Sequence, residues 1–122
     1  MKFLGTGSAL PKKVVSNDDL AQVMDTSDEW IRSRTGIGMR HIAVEETTTS
    51  MAVEAAEKAL VDAKISGCEI DLIIAGTISP DYIFPSLACE VQAAIGAKSA
   101  TAFDLSAGCS GFLFALATAD AY

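Results

Sequence analysis

The sequence is short of almost everything that would mark a metal, membrane or nucleic-acid protein. It has one histidine, His41, and three cysteines at positions 68, 89 and 109 with no CxxC spacing. Without a paired Cys/His motif, no metal site is expected. An odd cysteine count argues against a disulfide framework and for free thiols in a reducing compartment. Nine basic residues stand against sixteen acidic ones, a net charge of −7, so nucleic acid is not an expected partner. No apolar run reaches the length of a membrane span. The opening "MKFLGTGSALP" is too short, and too interrupted by Gly5, Gly7 and Pro11, for a signal peptide. Internal repeats, linkers and low-complexity segments are also missing, and a soluble cytoplasmic protein is expected.

What the chain does have is apolar mass: half of its 122 residues are hydrophobic, enough for one small domain with a core. Its charge is unevenly spread. Residues 1–41 carry six of the nine basic residues against five acids, and residues 42–122 carry three against eleven. An anionic ligand is therefore attracted only to the early part.

The order of elements follows from periodicity and punctuation. Residues 2–6 are expected to form a first strand stopped by Gly7. "SNDDLAQVM" opens with Ser16 and an acid three residues on, a capping box, and "TSDEWIRSRTG" repeats the pattern with Thr26 and Glu29 before a stop at Gly36. "MRHIAV" reads as a short strand. "TTSMAVEAAEKALVDA" is the clearest helix, with apolar positions at 52, 55, 56, 59, 60 and 63 and a Glu54–Lys58 pair outside. "IDLIIAGTIS" reads as a strand buried on both faces. Pro80, Pro85 and Ser86 bracket a loop, "SLACEVQAAIG" is a helix closed by Gly96, and "SATAFDLS" is the next strand. The alternation of strand and helix predicts an α/β fold with a mostly parallel sheet. A last helix starts at Cys109. From Phe112 to Ala119 it is uncharged and apolar on all sides, so it must be enclosed by other elements. The available strands and helices cannot surround it, which points to the first part of a larger fold.

Cys109 lies between a strand and this helix, among Ala107, Gly108, Ser110 and Gly111. A thiol is a useful nucleophile as the thiolate, and a helix N-terminus favours that anion. Strand, tight turn and helix with a nucleophile at the apex is a catalytic arrangement on other folds. Spacing alone equally allows a small residue packed into a close junction. His41, beside Arg40, has nothing in the sequence to bring it to Cys109 and reads as a strand-end histidine. Trp30 and Arg34 are four apart, so they share a helix face that could hold a flat heterocycle and a phosphate, with Lys12, Lys13, Arg32 and Arg40 adding positive field. The alternative is a tryptophan anchored in the core among solvated arginines. The loop Tyr82–Ile83–Phe84–Pro85 either meets another chain or folds onto its own core. Cys68 and Cys89 read as structural.

"GTGSALP", "DTSDEWIRSRTGI", "RHIA", "FPSLACEVQ" and "AFDLSAGCSGFLFAL" together resemble β-ketoacyl-acyl carrier protein synthase III, a thiolase-like condensing enzyme that begins bacterial fatty-acid synthesis. The resemblance covers essentially the whole chain. It implies an acyltransferase in which an acyl-CoA primer passes its acyl group to Cys109, and malonyl-acyl carrier protein then decarboxylates and condenses with it. No permanently bound cofactor is implied; acyl-CoA is substrate. The resemblance assigns Trp30 to stacking on adenine, Thr26 to contact with the base and Arg34 to the CoA phosphates. It assigns Phe84 to the partner's acyl pocket across a homodimer. Gly38 and Met39 stand where many members carry a charged residue, which makes that edge of the CoA entrance less basic. Members are more than twice as long, and their catalytic histidine and asparagine come from the second half. Residues 1–122 are therefore expected to be an N-terminal portion, inactive in condensation without the C-terminal half. Two other readings stay open: a related enzyme of quinolone or polyketide synthesis, and a non-catalytic remnant that keeps CoA binding or dimer contacts.

Overall fold

The computed structural model describes residues 2–122, which form two compact units, Leu10–Glu46 and residues 2–9 with Thr47–Tyr122. In the Leu10–Glu46 unit, strand β1 (Lys13–Ser16) runs directly into α1 (Asn17–Ala21). The Ser16 hydroxyl accepts from the Asp19 amide at 3.1 Å, and the Asp19 carboxylate accepts from the Ser16 amide at 2.8 Å, the capping box read from the sequence. Helix α2 (Asp28–Thr35) stops at Gly36, whose φ of 73° is left-handed, and β2 (Met39–Ile42) pairs antiparallel with β1. His41, in β2, has Nδ1 2.6 Å from the Pro11 carbonyl, the strand histidine that was expected.

In the other unit, α3 (Thr48–Ala63) has the expected span, capped by Thr47 and Ser50, with Lys58 Nζ 2.6 Å from Glu54. Strand β3 (Leu72–Gly76), α4 (Leu87–Ala94) and β4 (Thr101–Leu105) form a parallel crossover unit, registered from Leu72–Thr101 to Gly76–Leu105. Helix α5 (Gly111–Ala121) follows. Leu87, Ala88, Val91, Ala97 and Ala100 are the buried apolar residues here.

Four expectations need correction. Residues 2–6 are not a strand. They lie along α3, with Gly5 and Gly7 against its backbone and the Thr6 amide donating to Asp62 at 2.9 Å instead of to a ladder partner. Strand β3 is half-buried, because β3 and β4 make a sheet of only two strands. The parallel reading holds for β3–β4, but β1 and β2 form a separate antiparallel pair instead of joining that sheet. The last helix begins at Gly111, since Gly108–Ser110 form a tighter 3₁₀ turn. That helix is apolar all round as read and packs against β3 and β4, yet Phe112 and Leu113 are each 68% exposed. An open groove of about 340 Å³ remains between Leu72 and Ile74 of β3 and Phe112, Ala115, Leu116 and Ala119 of α5.

Candidate functional site

The sequence-derived site residues fall into two groups. Thr26, Trp30 and Arg34 belong to the Leu10–Glu46 unit; Phe84 and Cys109 belong to the other.

Ser27, one residue later than expected, caps α2: its hydroxyl accepts from the Trp30 amide at 3.1 Å. Thr26 and Glu29 make no capping box there. Thr26 is thereby released to line an open cleft of about 360 Å³ with Asp25, Ser27 and Trp30. Trp30 is 57% exposed and so does not anchor the helix in a core. The Arg34 guanidinium carbon lies 5.9 Å from the centre of the Trp30 ring, a cation–π distance. The neighbouring Arg32 is already paired: its Nε donates to both oxygens of Asp28, at 2.9 and 2.8 Å. Among the described residues Arg34 has no ion-pair partner, so it is the α2 arginine available to an anion. The Asp28 carboxyl sits below its ordinary range, mainly through the hydrogen bond from Asn17 and then through Arg32. Gly38 lies under Arg32, and a Cβ there would approach Nη2 to 2.5 Å. The position expected to be less basic is therefore covered by a guanidinium from α2.

Cys109 lies at the centre of the 3₁₀ turn joining β4 to α5. Gly108, at φ +52°, makes the left-handed step into the turn that a residue with a Cβ would adopt only under strain. The tight packing of this junction is made by Gly111 against Gly76, where a Cβ on Gly76 would come 3.3 Å from the Gly111 carbonyl carbon. Cys109 is exposed and free, so it does not fill the junction. Cys68 is also exposed, with Sγ 3.0 Å from the Ser66 hydroxyl, and the partly buried Cys89 donates to the Ala102 carbonyl at 3.8 Å.

Phe84 stands on a tethered loop. Asp81 accepts from the Thr48 and Thr49 amides at 3.1 and 2.7 Å, at the start of α3. Beyond that clamp Ile83 is fully exposed and Phe84 is 89% exposed, so these residues do not fold onto their own core. The Thr49 and Thr48 amides hold the Asp81 carboxyl down from 3.8 to about 2. A depressed carboxyl stabilises above its unfolded pKa, so the clamp is complete above pH 3.8 and is lost as pH falls through about 2. The Thr49 amide resonance, followed by NMR, is expected to titrate with a midpoint near 2. A midpoint at 3.8 would show that the clamp does not perturb Asp81.

Three structural residues gave no periodic signal in the sequence: Asn17, Asp81 and Asp104. Asp104 lies in β4, and its two oxygens accept from the Leu87 and Ala88 amides at 2.9 and 2.8 Å, holding the start of α4. A lone charge inside the apolar "TAFDL" was the one available hint.

No family model matches the chain. A Streptococcus suis protein named β-ketoacyl-[acyl-carrier-protein] synthase III is 62% identical over 111 residues, covering 91% of this chain and 34% of that protein. The crystal structure of 3-oxoacyl-[acyl-carrier-protein] synthase III from Aquifex aeolicus VF5 matches with a TM-score of 0.95 at 56% identity, over 98% of this chain and 39% of that one. The priming β-ketosynthase of the R1128 polyketide pathway matches at TM-score 0.92 and 40% identity, over 97% of this chain and 36% of that one. The fold is thus the α/β, thiolase-like one expected, and the chain spans a little over a third of the length of the relatives it matches. Over almost all of its length the chain is similar to β-ketoacyl-acyl carrier protein synthase III, corresponding to a segment of that extent.

Proposed function

We propose that the chain is the nucleophile-bearing, CoA-binding segment of a condensing enzyme that initiates fatty-acid synthesis. The observation that carries this reading is the exposed Cys109 thiol on the β4–α5 turn. The Cys109 thiolate attacks the thioester carbonyl of a short acyl-CoA, the CoA thiolate leaves, and an acyl-Cys109 thioester remains. Malonyl-acyl carrier protein then loses CO₂, its carbanion attacks that thioester, and the Cys109 thiolate departs from the β-ketoacyl product. Stabilising the enolate and oxyanion of this second step requires donors. Those are assigned to the family's histidine and asparagine, so residues 1–122 alone accept an acyl group at most. In α2, Trp30 stacks on adenine, Thr26 contacts the base and Arg34 meets the phosphates. Phe84, held out by the Asp81 clamp, lines the acyl pocket of a second subunit in a homodimer.

The test is incubation of the enzyme containing this chain with acetyl-CoA, followed by peptide mass spectrometry. An acetyl group on the Cys109 peptide, and on neither the Cys68 nor the Cys89 peptide, is expected; its absence from Cys109 sinks the assignment. For the ligand face, Trp30→Ala is expected to weaken CoA binding about tenfold, the scale of a lost base–aromatic stack. Unchanged affinity in a folded variant would remove Trp30 from the site. The likeness to a polyketide priming enzyme supports a second reading, with the same Cys109 chemistry and a different product. Product analysis across acyl-CoA primers with malonyl-acyl carrier protein as extender separates the two.

A further inference from the structure

Asn17 is the one polar side chain buried among the described residues, 1% exposed. Its Nδ2 donates to Asp28 Oδ1 and to the Ile37 carbonyl, each at 2.8 Å, and its Oδ1 accepts from Arg40 Nη2. Its own amide donates to the Gly38 carbonyl at 3.3 Å. These partners bracket one helix. Asp28 is the first residue of α2, whereas Ile37 and Gly38 follow its Gly36 stop. Arg40, in β2, donates in turn to the Val15 carbonyl at 3.1 Å, which ties the same side chain to the β1–β2 pair. An apolar residue of equal volume would leave the Ile37 carbonyl and a guanidinium N–H without this partner, whereas the asparagine satisfies both ends. A fully satisfied buried polar group selects one arrangement over its alternatives.

We infer that Asn17 is a positioning residue for the ligand site on α2, gripping both ends of the helix so that Trp30 and Arg34 are set before the ligand arrives. The inference rests on the reading of α2 as the CoA-binding helix. Asn17 touches no ligand in this scheme; it acts through Asp28 and the Ile37 carbonyl. Preorganisation of this kind appears in affinity, because a helix already in place loses less freedom on binding.

The experiment uses the enzyme containing this chain, with Trp30, the one tryptophan of residues 1–122, as reporter after any tryptophan outside this segment is replaced by phenylalanine. Time-resolved fluorescence anisotropy of Trp30 and its quenching by CoA are measured in that enzyme, in its Asn17→Ala and Asp28→Ala variants and in the double variant. Asp28→Ala guards against an Asn17 variant that fails to fold, since Asp28 is partly exposed and the Ser27 cap of α2 stays intact. Each single variant is expected to show added fast motion of Trp30 and roughly tenfold weaker CoA binding, the scale of one hydrogen bond to a charged group. The double variant is expected to be little worse than either single one, because both cut the same link. Unchanged anisotropy and affinity in the folded variants would reduce Asn17 to a space-filling role. Altered anisotropy with unchanged affinity, or losses that simply add, would also overturn the inference. Failure of the unsubstituted enzyme to bind CoA, or binding that leaves Trp30 unquenched, would instead overturn the ligand reading of α2, and the positioning role with it.

Discussion

Cys109→Ala is expected to abolish acyl transfer, with a loss of at least about 10³-fold in the release of free CoA thiol from acetyl-CoA by the enzyme containing this chain. A reaction that runs through a covalent thioester has no substitute for the missing sulfur. The change is also expected to leave the fold alone. Cys109 is exposed, and the β4–α5 junction is packed by Gly76 and Gly111 instead. Far-UV circular dichroism and the melting temperature of the variant should therefore match those of the parent. That combination separates a nucleophile from a packing residue, the two roles that spacing could not distinguish. Cys68→Ala serves as the control, an exposed thiol 3.0 Å from the Ser66 hydroxyl. Retained thiol release in Cys109→Ala would end the assignment.

Gly67→Ala is expected to produce the largest loss of stability, about 3 kcal/mol, at the upper end for overpacking a filled interior. Gly67 is buried at the start of the 3₁₀ turn that leads into β3, and a Cβ built there overlaps the Ile95 carbonyl oxygen. Neither side of that clash is a flexible side chain. Ile95 caps α4, and its amide donates to the Val91 carbonyl at 3.0 Å, so the carbonyl cannot swing away without moving the helix end. Relief requires α4 to shift against the turn before β3, where Val91, Ala97 and Ala100 form part of a small core. Urea denaturation should show the midpoint falling with the slope unchanged. A midpoint within error of the parent would mean that the turn yields freely.

The readings that held were local. Helix α3 was legible to the residue, because its period and its Glu54–Lys58 pair lie within its own span. The same is true of the Ser16–Asp19 capping box and the Gly36 stop. The segment 2–6 misled because its apolar residues suit either a ladder or the side of a helix, and only the position of α3 decides which. Thr26 read as the cap of α2, and one hydrogen bond to the Trp30 amide gives that place to Ser27, a neighbour of the same chemistry.

By itself the sequence determined the order of elements from residue 13 onward, the turn that carries Cys109, and the shared helix face of Trp30 and Arg34, whose exposure the fold decided. Each depends on residues within a few positions of one another, where spacing and backbone preference act directly. Tertiary structure alone decided that Asn17 would be buried between Asp28, Ile37 and Arg40, that Asp81 would hold the Phe84 loop, and that Gly111 would take the packing role at the cysteine turn. Those contacts join residues separated along the chain, and a polar residue carries no mark of its partner until the fold brings the two within hydrogen-bond reach.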